Sequence, residues 1–145
     1  MDFELTEKQI MLRSMAREFA EQEMLPTLKE YEREHKINYD LIKKMGSLGL
    51  IGAHIPEEYG GAGLDYTSAA IIWEQLSWAS WTQTLVSLGH GVLAGTILMN
   101  VANDEQKKKY LPSLCRGELI VAVAVVEPNA GSDTAAIETM AALHG

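Results

Sequence analysis

The chain has 145 residues, 47% of them hydrophobic, which is enough for one domain with a buried core. Its formal net charge of −8 argues against nucleic acid or an anionic membrane as a partner. Cys115 is the only cysteine, so no internal disulfide is possible and a reducing compartment such as the cytoplasm is expected.

Targeting segments, membrane insertion and metal sites are not predicted. Residues 1–4 lack the basic and apolar regions of a signal peptide. We find no apolar stretch long and uninterrupted enough to span a bilayer. The histidines have no ligand spacing, so no metal site is expected; they are His35, His54, His90 and His144.

The N-terminal part of the chain predicts two helices. Thr6-Glu7-Lys8-Gln9 is typical of a capping box, with Thr6 as the N-cap and Gln9 three residues on. Apolar residues follow at helical spacing, and we expect this helix to end close to Pro26. A second, highly charged helix is predicted over residues 27–35.

A third helix and a glycine-rich connection come next. Asn38 or Asp40 can cap a helix over residues 41–48. A short apolar segment, residues 51–55, runs into a loop at 56–64 that contains three glycines. No lysine follows these glycines and the flanking residues are acidic, so we expect a tight non-helical turn rather than a phosphate loop.

Two central helices are predicted from their caps. Asp65 or Thr67 opens the first, and Ser80 with Gln83 forms a second candidate capping box that opens a longer helix toward Asn100. We expect its core to consist of Leu85, Leu88, Val92 and Leu98. Its interior also holds Gly89, Gly91 and Gly95, each costing roughly 1 kcal/mol relative to alanine. Either close helix packing or room for a ligand would compensate, and packing is favoured.

The last helix should begin at Asn103-Asp104-Glu105-Gln106 and be limited by Pro112. After Gly117, residues 119–126 form a continuous apolar run rich in β-branched side chains, which predicts a buried strand. The turn that follows, residues 127–133, suits either a phosphate-binding loop or an ordinary surface turn.

The predicted strand lacks partners in this sequence. A lone buried strand leaves its backbone groups unpaired, which is costly. We therefore expect that the chain is a fragment of something larger, or that the strand pairs with another copy. Residues 118–133 should either pair between molecules or lack regular ladder partners.

A family resemblance rests on several motifs in the same order. Ala-Val-Val-Glu-Pro-Asn-Ala-Gly-Ser-Asp, residues 124–133, resembles the first signature of the acyl-CoA dehydrogenases. Leu-Gly-Leu-Ile-Gly at 48–52 and Ile-Pro-Glu-Glu-Tyr-Gly-Gly at 55–61 are similar to the family's loop. Asp-Glu-Gln-Lys-Lys-Lys-Tyr-Leu-Pro at 104–112, and Gly-Glu at 117–118, also match.

The resemblance implies a mainly α fold: an N-terminal orthogonal or up-down helical bundle over residues 1–117, then the truncated start of a middle β domain over residues 118–145. It implies an FAD flavoprotein oxidoreductase of fatty acid metabolism that dehydrogenates an acyl-CoA thioester between its α and β carbons. In the family, a carboxylate removes the α-proton while a hydride leaves from the β-carbon to the flavin, since no side chain accepts hydride. Electron-transferring flavoprotein as electron acceptor, a homotetramer and a cytoplasmic location are also expected.

The resemblance assigns residues to one edge of the flavin site. Val123, Val125 and Val126 correspond to positions that line the isoalloxazine, and Gly131 and Ser132 to positions that meet the flavin phosphates or the bound CoA ester. Ser132 is thus also a substrate-binding candidate. The family's acyl chain lies against the helix over residues 81–95. Its catalytic base lies beyond residue 145, so no catalytic residue is assigned here, and Glu127 is not given that role.

The sequence departs from the family at Val126, where threonine or serine usually hydrogen-bonds the flavin. A buried flavin atom left unpaired would cost on the order of 1–3 kcal/mol. Two other functions fit the same residues: a related acyl-CoA oxidase, and a non-catalytic helical interaction module. The missing base and the missing strands further predict that this chain alone neither retains FAD nor oxidises acyl-CoA.

Overall fold

The structure is a computed structural model that describes residues 4–143. The first three residues, His144, and the end of the predicted second domain lie outside the described part. The described residues are mainly helical and contain no β-ladder, which confirms the predicted fold class. The α-helices are α1 Glu7–Phe19, α2 Leu25–Arg33, α3 Tyr39–Ser47, α4 Tyr66–Ala79, α5 Trp81–Ser87, α6 Gly95–Val101 and α7 Asp104–Cys115.

The predicted N-caps are confirmed. Thr6 accepts from the Gln9 backbone N–H while the Gln9 side chain returns to the Thr6 N–H, so α1 begins with a complete capping box. Asn103 and Gln106 form the same box at α7. Of the alternatives left open, Asn38 caps α3 and Asp65 caps α4. Sequence-local hydrogen bonds thus decide where these helices begin.

Both predicted proline stops are wrong. A π turn, Ala20–Met24, connects α1 to α2, so the helix continues through Pro26. In a regular α-helix the proline ring clashes with the carbonyl four residues earlier, and the wider π turn changes that register. Pro112 lies inside α7, which continues to Cys115 because Leu114 and Cys115 are buried in the core.

The core lies between α1, α3, α4, α7 and the loop after α3. α1 packs along α4, and the loop contributes four buried hydrophobic residues, Leu50, Ile51, Ala53 and Ile55. The glycine-rich loop is a tight connection, as predicted, with left-handed backbone at Gly60 (φ 83°) and Gly63 (φ 58°). The prediction that it is non-helical is wrong, because Glu57–Tyr59 forms one 3-10 turn. Cys115 is also buried in this core.

α5, a π turn at Leu88–Ala94, and α6 form one continuous helix, Trp81–Val101. Among the described residues it alone is long and apolar enough to cross a membrane by length and composition. The expectation that no stretch meets those criteria is therefore wrong. The criterion is weak evidence for a membrane span, because a core helix can also meet it.

The buried face of this helix differs from the predicted one. Leu85 is 50% exposed, and Leu88 and Val92 are only partly buried, while Leu98 packs partly against the core. The buried residues are polar or small: Gln83, Thr84, Ser87, His90, Gly91, Ala94 and Gly95. The prediction failed because small residues here let the helix approach the neighbouring loop closely.

Two of the three glycines in this helix are explained by packing. A Cβ at Gly91 would lie 3.1 Å from Ile51 Cγ2, and one at Gly95 would lie 2.8 Å from Ile55 Cδ1. The favoured packing interpretation holds for both. A Cβ at Gly89 would meet nothing within 4 Å, so this glycine borders open space.

Candidate functional site

The segment after α7 is extended but unpaired. Val121 and Val123 pack partly against the core, whereas Ala122 and residues 124–126 are exposed. Among residues 4–143 the only β-bridge joins Glu127 to Ala130, through bonds of 2.9 and 3.1 Å that close the turn. The predicted strand is therefore not formed, because one extended run cannot supply its own ladder. As predicted, these residues lie in no intramolecular sheet among the described residues. Pairing with another copy stays a prediction.

A buried histidine connects this segment to the helical body. His90 is 1% exposed, and its Nδ1 accepts a hydrogen bond of 3.1 Å from the Val121 backbone N–H. Its Nε2 lies 3.0 Å from the carbonyl oxygen of Leu114. Because Nδ1 is the acceptor, Nε2 carries the proton and donates to Leu114.

The environment of His90 favours its neutral form. Burial lowers the pKa of the imidazole, and the hydrogen bond to the Leu114 carbonyl opposes that shift. His90 is not among the functional residues predicted from the sequence. One signal was available: His90 falls at helical spacing with Ser87 and Ala94 on the small-residue face.

An apolar groove of about 330 Å³ runs between the long helix and the extended segment. Gly89 borders it and leaves room that any larger side chain would fill. Of the predicted flavin-lining residues, Val123 borders the groove, whereas Val125 and Val126 do not and are exposed, Val126 at 75%. The lining residues are Leu85, Val86, Gly89, His90, Leu93, Ile120, Val121, Ala122 and Val123.

The turn after the extended segment presents Gly131 and Ser132 to solvent. A Cβ at Gly131 would meet nothing within 4 Å, so the backbone there is open to approach by a ligand. Neither residue borders the groove. The structure thus brings Val123 to the helix and leaves the other four predicted site residues on the exposed side of the segment.

Glu127 is occupied by the residues that follow the turn. Its carboxylate accepts from the backbone N–H groups of Glu138 and Thr139, at 2.9 Å each, and from the Thr139 hydroxyl. Hydrogen bonds from the Thr139 side chain first, then from the Glu138 backbone, lower the pKa of this carboxyl. Glu127 therefore connects the turn to residues 138 and 139.

A second histidine lies apart from the groove. The His54 ring stacks on Tyr66 with centroids 5.3 Å apart, and its Nε2 lies 3.0 Å from Thr96 Oγ1. Its Nδ1 is buried without a hydrogen-bond partner among the described residues, and burial lowers its pKa. Within residues 4–143, no group of three or more metal-ligating side chains surrounds this or any other point.

Comparison with known proteins identifies what the chain resembles. A sequence model described as acyl-CoA dehydrogenase, N-terminal domain, matches residues 6–118. Over 145 residues the chain is 41% identical to the short-chain specific acyl-CoA dehydrogenase of Clostridium acetobutylicum, covering 100% of this chain and 38% of that protein.

Two solved structures share the fold. A chain solved in work on the electron transferring flavoprotein of Acidaminococcus fermentans superposes with a TM-score of 0.92 at 40% identity, covering 100% of this chain and 38% of that one. The acyl-CoA dehydrogenase of Bacillus anthracis complexed with FAD gives a TM-score of 0.84 at 38% identity, covering 93% of this chain and 23% of that one. The chain thus spans less than two-fifths of each of these relatives.

Proposed function

Because this chain belongs to the acyl-CoA dehydrogenase family, we propose that it forms the N-terminal part of an FAD-dependent enzyme that dehydrogenates acyl-CoA thioesters. In this proposal the chain contributes the helices beside the acyl group and one edge of the flavin site. The observation that carries the proposal is the open groove at Gly89, bordered by the segment that leads into the family's signature turn.

The residues of this segment fit one edge of a flavin. The backbone N–H and C=O groups of residues 122–126 make no hydrogen bond with any other described residue, so they are free to pair with the polar edge of the ring. The exposed valine side chains and the apolar groove suit its flat faces. Val126 supplies no hydroxyl, so one hydrogen bond must come from elsewhere.

The contribution of this chain to the reaction is to bind and orient. We assign contact with the isoalloxazine to Val123, Val125 and Val126, with the bound FAD supplying the acceptor for the hydride that no side chain can take up. Gly131 and Ser132 are assigned to the flavin phosphates or the CoA ester, where exposed backbone donors suit an anion. No residue of this chain is assigned as the base.

The wider assembly belongs to the same proposal. We divide the chain after Gly117, whose left-handed backbone (φ 67°) ends the helical part, so that residues 118–145 begin the next domain. The proposed partners are an acyl-CoA substrate, an electron-transferring flavoprotein and further copies of the full-length protein in a tetramer. The proposed location is the cytoplasm.

Two preparations test the function: this chain alone and a longer protein that begins with it. The longer protein should purify yellow, and its flavin absorbance should bleach when a short acyl-CoA is added without oxygen. The 145-residue chain should remain colourless and inactive, because the groove and the free backbone edge form only one wall of the site. A longer protein that binds no flavin would refute the proposal. A yellow 145-residue chain that reduces an artificial electron acceptor would refute the predicted inactivity of the chain alone.

A further inference from the structure

We propose that His90 is a positioning residue for the flavin wall, acting through its hydrogen bond to the Val121 backbone N–H. The inference rests on the proposed function, because the wall is the segment assigned to the isoalloxazine. His90 is assigned no contact with the flavin and no role in proton transfer. Its effect is to set the position of the segment along the long helix, and with it the positions of the three valines that we assign to the isoalloxazine.

The His90 contact is the single polar tie between residues 120–126 and the rest of the described chain. The other attachments are the apolar contacts of two partly buried side chains, Val121 and Val123. Apolar contacts are non-directional, so they do not by themselves prevent the segment from sliding. A directed N–H···N bond at Val121 defines one position along the segment.

That position matters because an extended chain alternates its side chains. A slip by one residue would turn the inward-facing set outward and the outward-facing set inward. Val121 and Val123 would then lose their contacts with the core, and the exposed Ala122 and Ala124 would take their places. The free backbone edge that we assign to the flavin would reverse with it. The apolar contacts of the valines do not select one register. We therefore assign that selection to the hydrogen bond between His90 and Val121.

Histidine suits this role because one ring serves two backbone groups at once. Nδ1 accepts from Val121 N–H while Nε2–H donates to the carbonyl of Leu114, at the end of α7. The second bond fixes the tautomer that makes the first possible. The ring therefore aligns the segment with both the long helix and α7.

Substitution of His90 by asparagine or by glutamine tests its two hydrogen bonds one at a time. In His90→Asn, the side-chain oxygen lies near the position of Nδ1 and can still accept from Val121, but the bond to Leu114 is lost. In His90→Gln, the amide nitrogen reaches the position of Nε2 and keeps the bond to Leu114, but the acceptor for Val121 is lost. Each variant thus removes one of the two hydrogen bonds.

In the longer flavoprotein, we expect His90→Gln to weaken FAD binding on the order of tenfold and to shift the visible flavin spectrum. His90→Asn should keep both the affinity and the spectrum close to those of the parent. Equal losses in the two variants, or a greater loss in His90→Asn, would overturn the inference, since a purely structural histidine would not favour the Val121 contact.

A measurement on the unsubstituted 145-residue chain tests the inference even if a variant fails to fold. Nuclear magnetic resonance should find the His90 ring protonated at Nε2 and bare at Nδ1, and the Val121 amide protected from hydrogen exchange. The amides of residues 122–126 should exchange freely. A Val121 amide that exchanges freely would overturn the role proposed for His90 and would leave the proposed function intact. A longer protein that binds no FAD would instead refute the proposed function, and the inference with it.

Discussion

The side chain of Gln83 makes two hydrogen bonds to the backbone of Asn38. Its Oε1 accepts from the Asn38 backbone N–H at 3.2 Å, and its Nε2 donates to the Asn38 carbonyl at 2.8 Å. Both residues are buried, and Asn38 is the N-cap of α3. Gln83 was expected to complete a capping box with Ser80; Ser80 does accept from the Gln83 N–H, but the Gln83 side chain joins α5 to α3 instead.

Replacing this glutamine should destabilise the chain strongly. Gln83→Ala leaves two backbone groups of Asn38 buried and unpaired, and we expect a loss of about 2–4 kcal/mol in the free energy of unfolding. Urea unfolding followed by circular dichroism measures it. Gln22→Ala is the matched control, because Gln22 is exposed and bonds only to Glu18. Similar losses of unfolding free energy in the two variants would contradict the stabilising role of the Gln83–Asn38 hydrogen bonds.

A glycine in α3 is required by the close approach of α7. A Cβ at Gly46 would lie 2.3 Å from the backbone carbon and oxygen of Arg116. Because backbone cannot move aside as a flexible side chain can, Gly46→Ala should cost about 2–4 kcal/mol of stability. Gly89→Ala, where a Cβ meets nothing, should be neutral or stabilising by up to about 1 kcal/mol. Thermal unfolding measures the stability of both variants. A Gly89→Ala chain that is less stable than the Gly46→Ala chain would contradict the packing argument.

Acid should destabilise the chain through its buried histidines. Burial lowers the pKa of both His90 and His54 in the folded state. The unfolded chain therefore binds more protons than the folded chain once the pH falls toward the ordinary histidine pKa of about 6.5. The stabilising contribution is complete above that pH and is lost progressively as the pH falls through it. Urea unfolding at about pH 7.5 and about pH 5.5 should show the loss.

His90→Asn should reduce this acid loss, because the variant has one buried titrating ring fewer. His35→Asn is the matched control: His35 is exposed, and asparagine tolerates its left-handed backbone (φ 53°). The acid loss of His90→Asn should be smaller than that of this control. An unchanged acid loss in His90→Asn would show that the ring does not contribute to it.

Cys115 should be inert to thiol reagents while the chain is folded. Burial raises the pKa of its thiol to about 11, with Arg116 opposing the shift, so at pH 8 only about one thiol in a thousand is ionised. The reagent also cannot reach the buried sulfur. Labelling with a chromogenic disulfide should be slow in buffer and fast in concentrated urea. Rapid labelling of the folded chain would contradict this picture.

A hydroxyl at position 126 should improve flavin binding in the longer protein. Val126→Thr adds the donor that the family usually provides there, and a neutral hydrogen bond is worth about 0.5–1.5 kcal/mol net. We expect FAD affinity to rise by roughly two- to tenfold. Val101→Thr, the same change at a position that is 77% exposed and lies outside the flavin wall, should have little effect. Equal gains from both would argue against a specific contact at position 126.

The sequence alone determined where most helices begin. Thr6 with Gln9, and Asn103 with Gln106, act within four residues of each other, so their hydrogen bonds depend on no distant part of the chain. It also determined the family through motifs that lie in order along nearly the whole chain. The sequence pattern also predicted only one strand, so it indicated that residues 119–126 would have no ladder partner within this chain.

Tertiary structure decided which face of the long helix is buried and what connects it to the signature segment. The buried face holds Gln83, Ser87 and His90 instead of the leucines that were predicted as core. Burial at this face depends on how closely another part of the backbone approaches and on whether polar groups find hydrogen-bond partners there. The two partners of His90 lie 24 and 31 residues away along the chain, at Leu114 and Val121. Local patterns hold no information on such distances, so the contact that we assign to the flavin wall could be found only in the folded chain.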